Sequence, residues 1–238
     1  MHRTWKAVGW IRFALLLAAA GSWVQAQGKR DLAIEEGEFT ILISGREIGS
    51  EKFAIQIGGD SVVSTSVVEF LNPGQRPQKI RLESRLEMDG NYLPRRYLLK
   101  SDVDGKKGTI SGAFDPNQVM FDYRGTGSPF RRGLLLGDRP ALLDSNIYHH
   151  FAFLVRRYDF KGGEQRQSCE VVIPQETDSG VLKISRLKDA YLTVRGKKRA
   201  MRVLLADSGA LQIHLWVDDG LVLHKLAVPA RGLEVLRR

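Results

Sequence analysis

The chain has 238 residues, 36 Lys and Arg against 27 Asp and Glu, a net charge of +9 and one cysteine, Cys169. That length suits one large domain or two small ones and buries a core without a metal or disulfide. The lone cysteine excludes an intramolecular disulfide and with it a disulfide-stapled scaffold.

Residues 1–26 read as a cleavable signal peptide. Arg3, Lys6 and Arg12 precede a short apolar run at 13–20, and Val24-Gln25-Ala26 offers small residues for cleavage before Gln27. The run falls short of the roughly 20 apolar residues that spanning a bilayer requires, and no other stretch comes near. The mature protein, residues 27–238, is therefore expected in the periplasm or secreted, with no transmembrane segment. Three of the 36 cations and no acids lie in the segment, so the remainder carries +6. Its cations come as scattered pairs, such as Arg95-Arg96 and Arg131-Arg132, and nucleic acid is not an expected partner.

From residue 37 onward the pattern is period two. In Ile80-Arg81-Leu82-Glu83-Ser84-Arg85-Leu86-Glu87-Met88, apolar residues share one face and charged residues the other, which predicts an antiparallel strand with one wet face. Similar runs lie at 39–44, 53–57, 62–71, 96–103, 109–114, 119–124 and 169–173, then at 182–187, 202–206, 211–217, 221–228 and 233–236. Turn residues separate them, among them Ser44-Gly45, Asp104-Gly105 and Asp218-Asp219-Gly220. One segment, 145–158, is helical instead. Ile147, Phe151, Leu154, Val155 and Tyr158 recur at helical spacing, Asp144 or Ser145 can cap it, and Arg156-Arg157 suits its last turn. The expected fold is all-β and mainly antiparallel: one curved roll or half-barrel of about a dozen strands, with a covering helix across one mouth or face that plugs an otherwise open end of the core.

Three catalytic look-alikes fail on context. Gly59-Asp60-Ser61 lies between two strands rather than on a strand-to-helix turn. Ser185 and Lys188 sit three apart in a strand, where they face opposite ways. Asp207-Ser208-Gly209 leaves too little chain behind it for an aspartic protease and reads as a turn.

Four histidines follow the signal segment. His149 falls opposite Ile147 on the helical wheel and His150 flanks the apolar stripe; neighbours about 100° apart are poorly placed to share a metal. His214 and His224 would meet only across a three-residue turn. A two-residue Asp219-Gly220 turn, favoured by Asp-Gly, sets His214 opposite Lys225 instead. They form a weak alternative metal pair, and no metal or cofactor is expected. Cys169 alternates with Val171 and Ile173 as a small core residue.

The chain resembles uncharacterised exported bacterial β proteins catalogued as domains of unknown function. Four stretches carry the resemblance: the hairpin from Gly37-Glu38-Phe39 to Ile48-Gly49, the helix at 147–158, Val171-Val172-Ile173-Pro174-Gln175-Glu176, and Leu215-Trp216-Val217-Asp218 running on to Val228-Pro229. More distantly it is similar to the half-barrel of periplasmic lipoprotein carriers, which hold acyl chains on a concave face. The resemblance implies no catalytic residues.

These observations lead to a non-catalytic envelope protein that binds an apolar or amphiphilic ligand, a lipid for example. The candidate ligand-facing residues are Leu82, Leu86, Phe151, Leu154 and Trp216, which are plain core if the sheet closes tightly. One alternative is a scaffold acting through an envelope protein partner. Another is a hydrolase with a dispersed site at His214, His224 and Asp218.

Overall fold

Alternation in the sequence becomes alternation in burial. In β4 (Gln78–Asp89), Leu82, Ser84, Leu86 and Met88 are buried. Arg81 and Arg85 point outward and pair with Glu69, Glu83 and Glu87. Such exposed pairs contribute at most about 1 kcal/mol each, so the apolar face rather than the charged one fixes the register.

The computed structural model describes residues 33–72, 76–162 and 166–238; the expected signal segment lies outside them. The first half is a meander: β1 (Ala33–Ile43), β2 (Arg46–Gly58), β3 (Ser61–Asn72), β4, β5 (Pro94–Val103), β6 (Lys106–Asp115), β7 (Gln118–Arg124) and β8 (Phe130–Leu135). After a short β9 (Ala141–Leu142) come a 3-10 turn at Tyr148–His150 and helix α1 (Phe151–Arg157). The second half holds β10 (Arg166–Ile173), β11 (Asp178–Arg186), β12 (Ala190–Val194), β13 (Lys197–Asp207), β14 (Gln212–Val217), β15 (Leu223–Val228) and β16 (Leu233–Arg237).

The two halves join where β1 pairs with β16, giving the order β8-β7-β6-β5-β4-β3-β2-β1-β16-β15-β14-β13-β11-β10-β9, with β12 hydrogen-bonded to β13. All pairs are antiparallel except β9 with β10. Laid flat, the fourteen spacings of this path, at about 4.8 Å each, would put its edges about 67 Å apart. Yet β8 ends at Leu135 and β9 begins at Ala141, a link that reaches at most about 20 Å. The sheet must therefore roll up until its two edges nearly meet, without closing.

The link delivers the chain straight into the roll. Ile147, Tyr148, His149, His150, Ala152, Phe153, Leu154 and Val155 are all buried. His149 bonds to β2 and β3, and α1 also packs on β15, so the helix is enclosed by both halves of the sheet. The helix expected to plug the open end of the core is present: α1 is enclosed by sheet. It is shorter than expected, and neither Asp144 nor Ser145 caps it. The sixteen strands among the described residues exceed the expected dozen because β8, β9 and β12 are short or outward-facing and lack a clear apolar alternation.

The hairpin after β14 adopts neither expected register. Asp218 N–H donates to the Val222 carbonyl at 3.1 Å, the Asp218 carboxylate accepts Val222 N–H at 3.0 Å, and Leu221 takes φ +61°. The aspartate thus stabilises a wider loop than Asp219-Gly220 alone, and a bulge between Trp216 and Val217 then sets His214 opposite Ala227. The Asp89–Leu93 loop is built the same way, with Tyr92 at φ +60°.

Candidate functional site

Two features set the interior apart from a plain apolar core: a buried polar relay and a pocket beside it. On β2 the inward positions are Glu51, Phe53 and Ile55, so a carboxylate stands where the alternation calls for an apolar group. On β3 the inward positions include Ser64 and Ser66. The roll places His149 between them. Its Nδ1 lies 2.6 Å from Glu51 Oε1, and its Nε2 lies 2.7 Å from the Ser64 hydroxyl. Glu51 Oε2 also accepts the backbone N–H groups of Tyr148 (2.9 Å) and His149 (3.1 Å). The start of the helical segment is thus capped by a carboxylate from another element, which satisfies donors that a helix start leaves orphaned.

The serine–histidine–carboxylate order repeats the connectivity of a hydrolytic triad. Glu51, Ser64 and His149 nevertheless have no exposed surface, so no substrate carbonyl reaches Ser64 in this conformation. In the neutral ring the carboxylate selects the Nδ1–H tautomer, leaving Nε2 to accept the Ser64 O–H. The relay ties the plug to the wall at two strands.

A second connection holds the segment before the plug. Asp144, 4% exposed, accepts Tyr97 O–H at 2.5 Å and the N–H groups of Ser145 and Gln175 at 2.9 Å each. Burial pushes its carboxyl up to about 6, against the opposing pull of those hydrogen bonds. Tyr97 is raised well above an ordinary phenol, by burial first and then by the Asp144 charge. His150 packs edge-on against the Tyr97 ring, and burial, with His149 beside it, holds its pKa well below the usual imidazole value.

These two connections fix one wall of a pocket of about 800 Å³. The segment around Leu143, Tyr148 and Phe151 forms that wall, and the inner face of the second half, including Leu182, Ile213 and Leu226, forms the other. The lining is chiefly apolar, with Asp144, Glu176, Asp178 and Arg231 as its charged members. A volume of this size lies within the range of about 300–1,000 Å³ that holds a small-molecule ligand, and such sites combine apolar walls with a few polar groups.

Of the five candidates read from the sequence, Phe151 borders this pocket. Leu82, Leu86 and Leu154 are at most 3% exposed and belong to the core. Trp216 lies on the opposite face of β14 from the pocket-lining Ile213 and Leu211, with the Lys225 ammonium 5.1 Å from its ring centre. His214 shares that outer face, and His224 bonds Asp218 at 2.9 Å, so the two histidines do not meet. Burial would raise Asp218, but the His224 bond and the Val222 N–H outweigh it and hold the carboxyl low. Cys169 borders a smaller recess of about 320 Å³, where burial pushes its thiol up and away from nucleophilic character. Gly59-Asp60 and Ser208-Gly209 are turn tips, and Ser185 lies within β11.

Sequence reasoning missed Glu51, Ser64, Asp144 as a buried group, and most of the pocket. The available signal was polar residues on core-facing positions: Glu51 in phase with Phe53 and Ile55, and Ser64 in phase with Val62 and Val68.

Among the described residues, no group of three His, Cys, Asp or Glu side chains is placed to hold a metal ion, and no helix is long and apolar enough to cross a membrane. No family model and no curated protein matches the chain. A DUF1089 family protein from Pseudomonas aeruginosa gives a TM-score of 0.44 at 11% identity, over 73% of this chain and 86% of that one. A β-barrel-like protein of the domain of unknown function DUF1849, from Brucella abortus, gives a TM-score of 0.59 at 10% identity, over 87% of this chain and 94% of that one. That likeness extends across nearly the whole rolled sheet, and it shows the fold alone.

Proposed function

We infer that this is a non-catalytic binding protein of the bacterial envelope that takes the apolar part of an amphiphile into the pocket between the plug and the second half of the sheet. The observation that carries the reading is the pocket itself: about 800 Å³, chiefly apolar inside, with exposed charged side chains on its border. Apolar burial supplies the affinity and the charged border orients the ligand. The signal-like segment at 1–26 and the absence of a cysteine pair agree with an exported protein.

Displacement of a pocket-bound environment-sensitive dye by alkyl-chain amphiphiles, each below its micelle concentration, tests the reading. Wild-type protein is expected to release the dye with an affinity that rises with chain length. Leu211→Arg, which puts a charge into the pocket wall, is expected to abolish displacement while the protein stays folded. Failure of every amphiphile to bind folded wild-type protein would overturn it.

A further inference from the structure

The charged groups on the border of the pocket do not satisfy one another. Arg231, in the turn after β15, makes no ion pair among the described residues, although Glu176 and Asp178 border the same pocket. Glu176 has the Ser145 hydroxyl as its hydrogen-bond partner, and Asp178 accepts the N–H of its neighbour Ser179. All three are exposed. Opposite charges thus flank one opening without reaching each other, which is the arrangement that a ligand carrying both signs completes.

From this we propose that the ligand is a single-chain amphiphile with a zwitterionic head, of the lysophospholipid class with an ammonium group. The proposal rests on the amphiphile-binding reading and names its ligand. The phosphodiester pairs with Arg231, the ammonium faces Glu176 and Asp178, and the acyl chain enters between Phe151 and Ile213. A purely anionic head would gain Arg231 but face two carboxylates; a purely cationic one would meet the reverse conflict. Complementarity of this kind selects among ligands that share the same tail. A pocket of about 800 Å³ accommodates a ligand of drug-like size, which favours one chain over a diacyl lipid.

The test compares three ligands with the same palmitoyl chain: lysophosphatidylethanolamine, lysophosphatidylglycerol and monopalmitoylglycerol. Each is titrated below its micelle concentration by dye displacement. The zwitterion is expected to bind at least about tenfold more tightly than the other two, a gap of about 1.4 kcal/mol. Arg231→Ala is expected to reduce it to the level of the neutral lipid, and Glu176→Gln with Asp178→Asn to bring the anionic lipid up to it. These sites are exposed, and an unchanged thermal midpoint confirms folding. Equal affinity for all three lipids would overturn the head-group assignment while leaving the pocket reading intact. Binding of none would overturn both.

Discussion

Replacing Glu51 is the most demanding test of how the plug is held. Glu51→Ala removes, at a site with no exposed surface, the acceptor for two backbone N–H groups and for His149 Nδ1. Leaving a buried donor without a partner costs about 1–3 kcal/mol, and three donors lose theirs here: the Tyr148 and His149 backbone N–H groups and the His149 ring N–H. A loss of about 4 kcal/mol is therefore expected. Glu51→Gln should behave differently. Its carbonyl oxygen can still accept the two N–H groups, while its amide donates to His149 Nδ1. The ring then adopts the other tautomer and donates from Nε2 to Ser64, so every polar group keeps a partner and the cost falls to about 1 kcal/mol. The assay is urea denaturation at pH 7.5, supported by thermal midpoints. At about 2–4 °C per kcal/mol for a chain of this size, the two variants should differ by about 6–12 °C. Equal stabilities for the two variants would refute the relay as the plug's anchor.

Asp144 binds a proton more readily in the folded chain than in the unfolded one, since its carboxyl sits at about 6 against an ordinary 3.8. Its contribution therefore favours the fold at low pH and is lost as pH rises through about 6, a change of about 3 kcal/mol. Asp144→Asn should remove that loss, so urea midpoints of variant and wild type should diverge in the variant's favour between pH 4 and pH 7; a constant gap would contradict it. A fluorophosphonate probe should leave Ser64 unmodified in native protein by intact mass, whereas labelling that His149→Ala abolishes would support a hydrolase. Leu86→Ala and Leu82→Ala should each cost about 2–5 kcal/mol as core truncations. Amphiphile affinity of the folded fraction should be unchanged, and a selective loss of binding would return them to the ligand site.

The strand-rich architecture was legible because alternation is a local property: β4 shows its core face in nine residues. Closure was not, since the near meeting of β8 and β9 depends on the accumulated curvature of the whole path. The plug's burial left a trace in the sequence, for the run from Ile147 to Val155 is polar only at its two histidines and so reads as apolar all round. Placing His149 opposite Ile147 on a helical wheel hid this, and its partners, Glu51 and Ser64, lie 98 and 85 residues away. The His214–His224 register failed for a nearer reason. An aspartate side chain closing its own loop outweighed the Asp-Gly preference for a two-residue turn. Of the pocket, Phe151 alone was read from the sequence, because its two walls come from segments that only the rolled sheet brings together.

Native mass spectrometry of the protein, expressed as the full chain and purified without detergent, tests most directly whether the pocket holds an amphiphile. The expected result is an adduct of several hundred daltons that organic extraction removes and that Leu211→Arg does not carry. A bare monomer mass that stays bare after incubation with single-chain amphiphiles would contradict it.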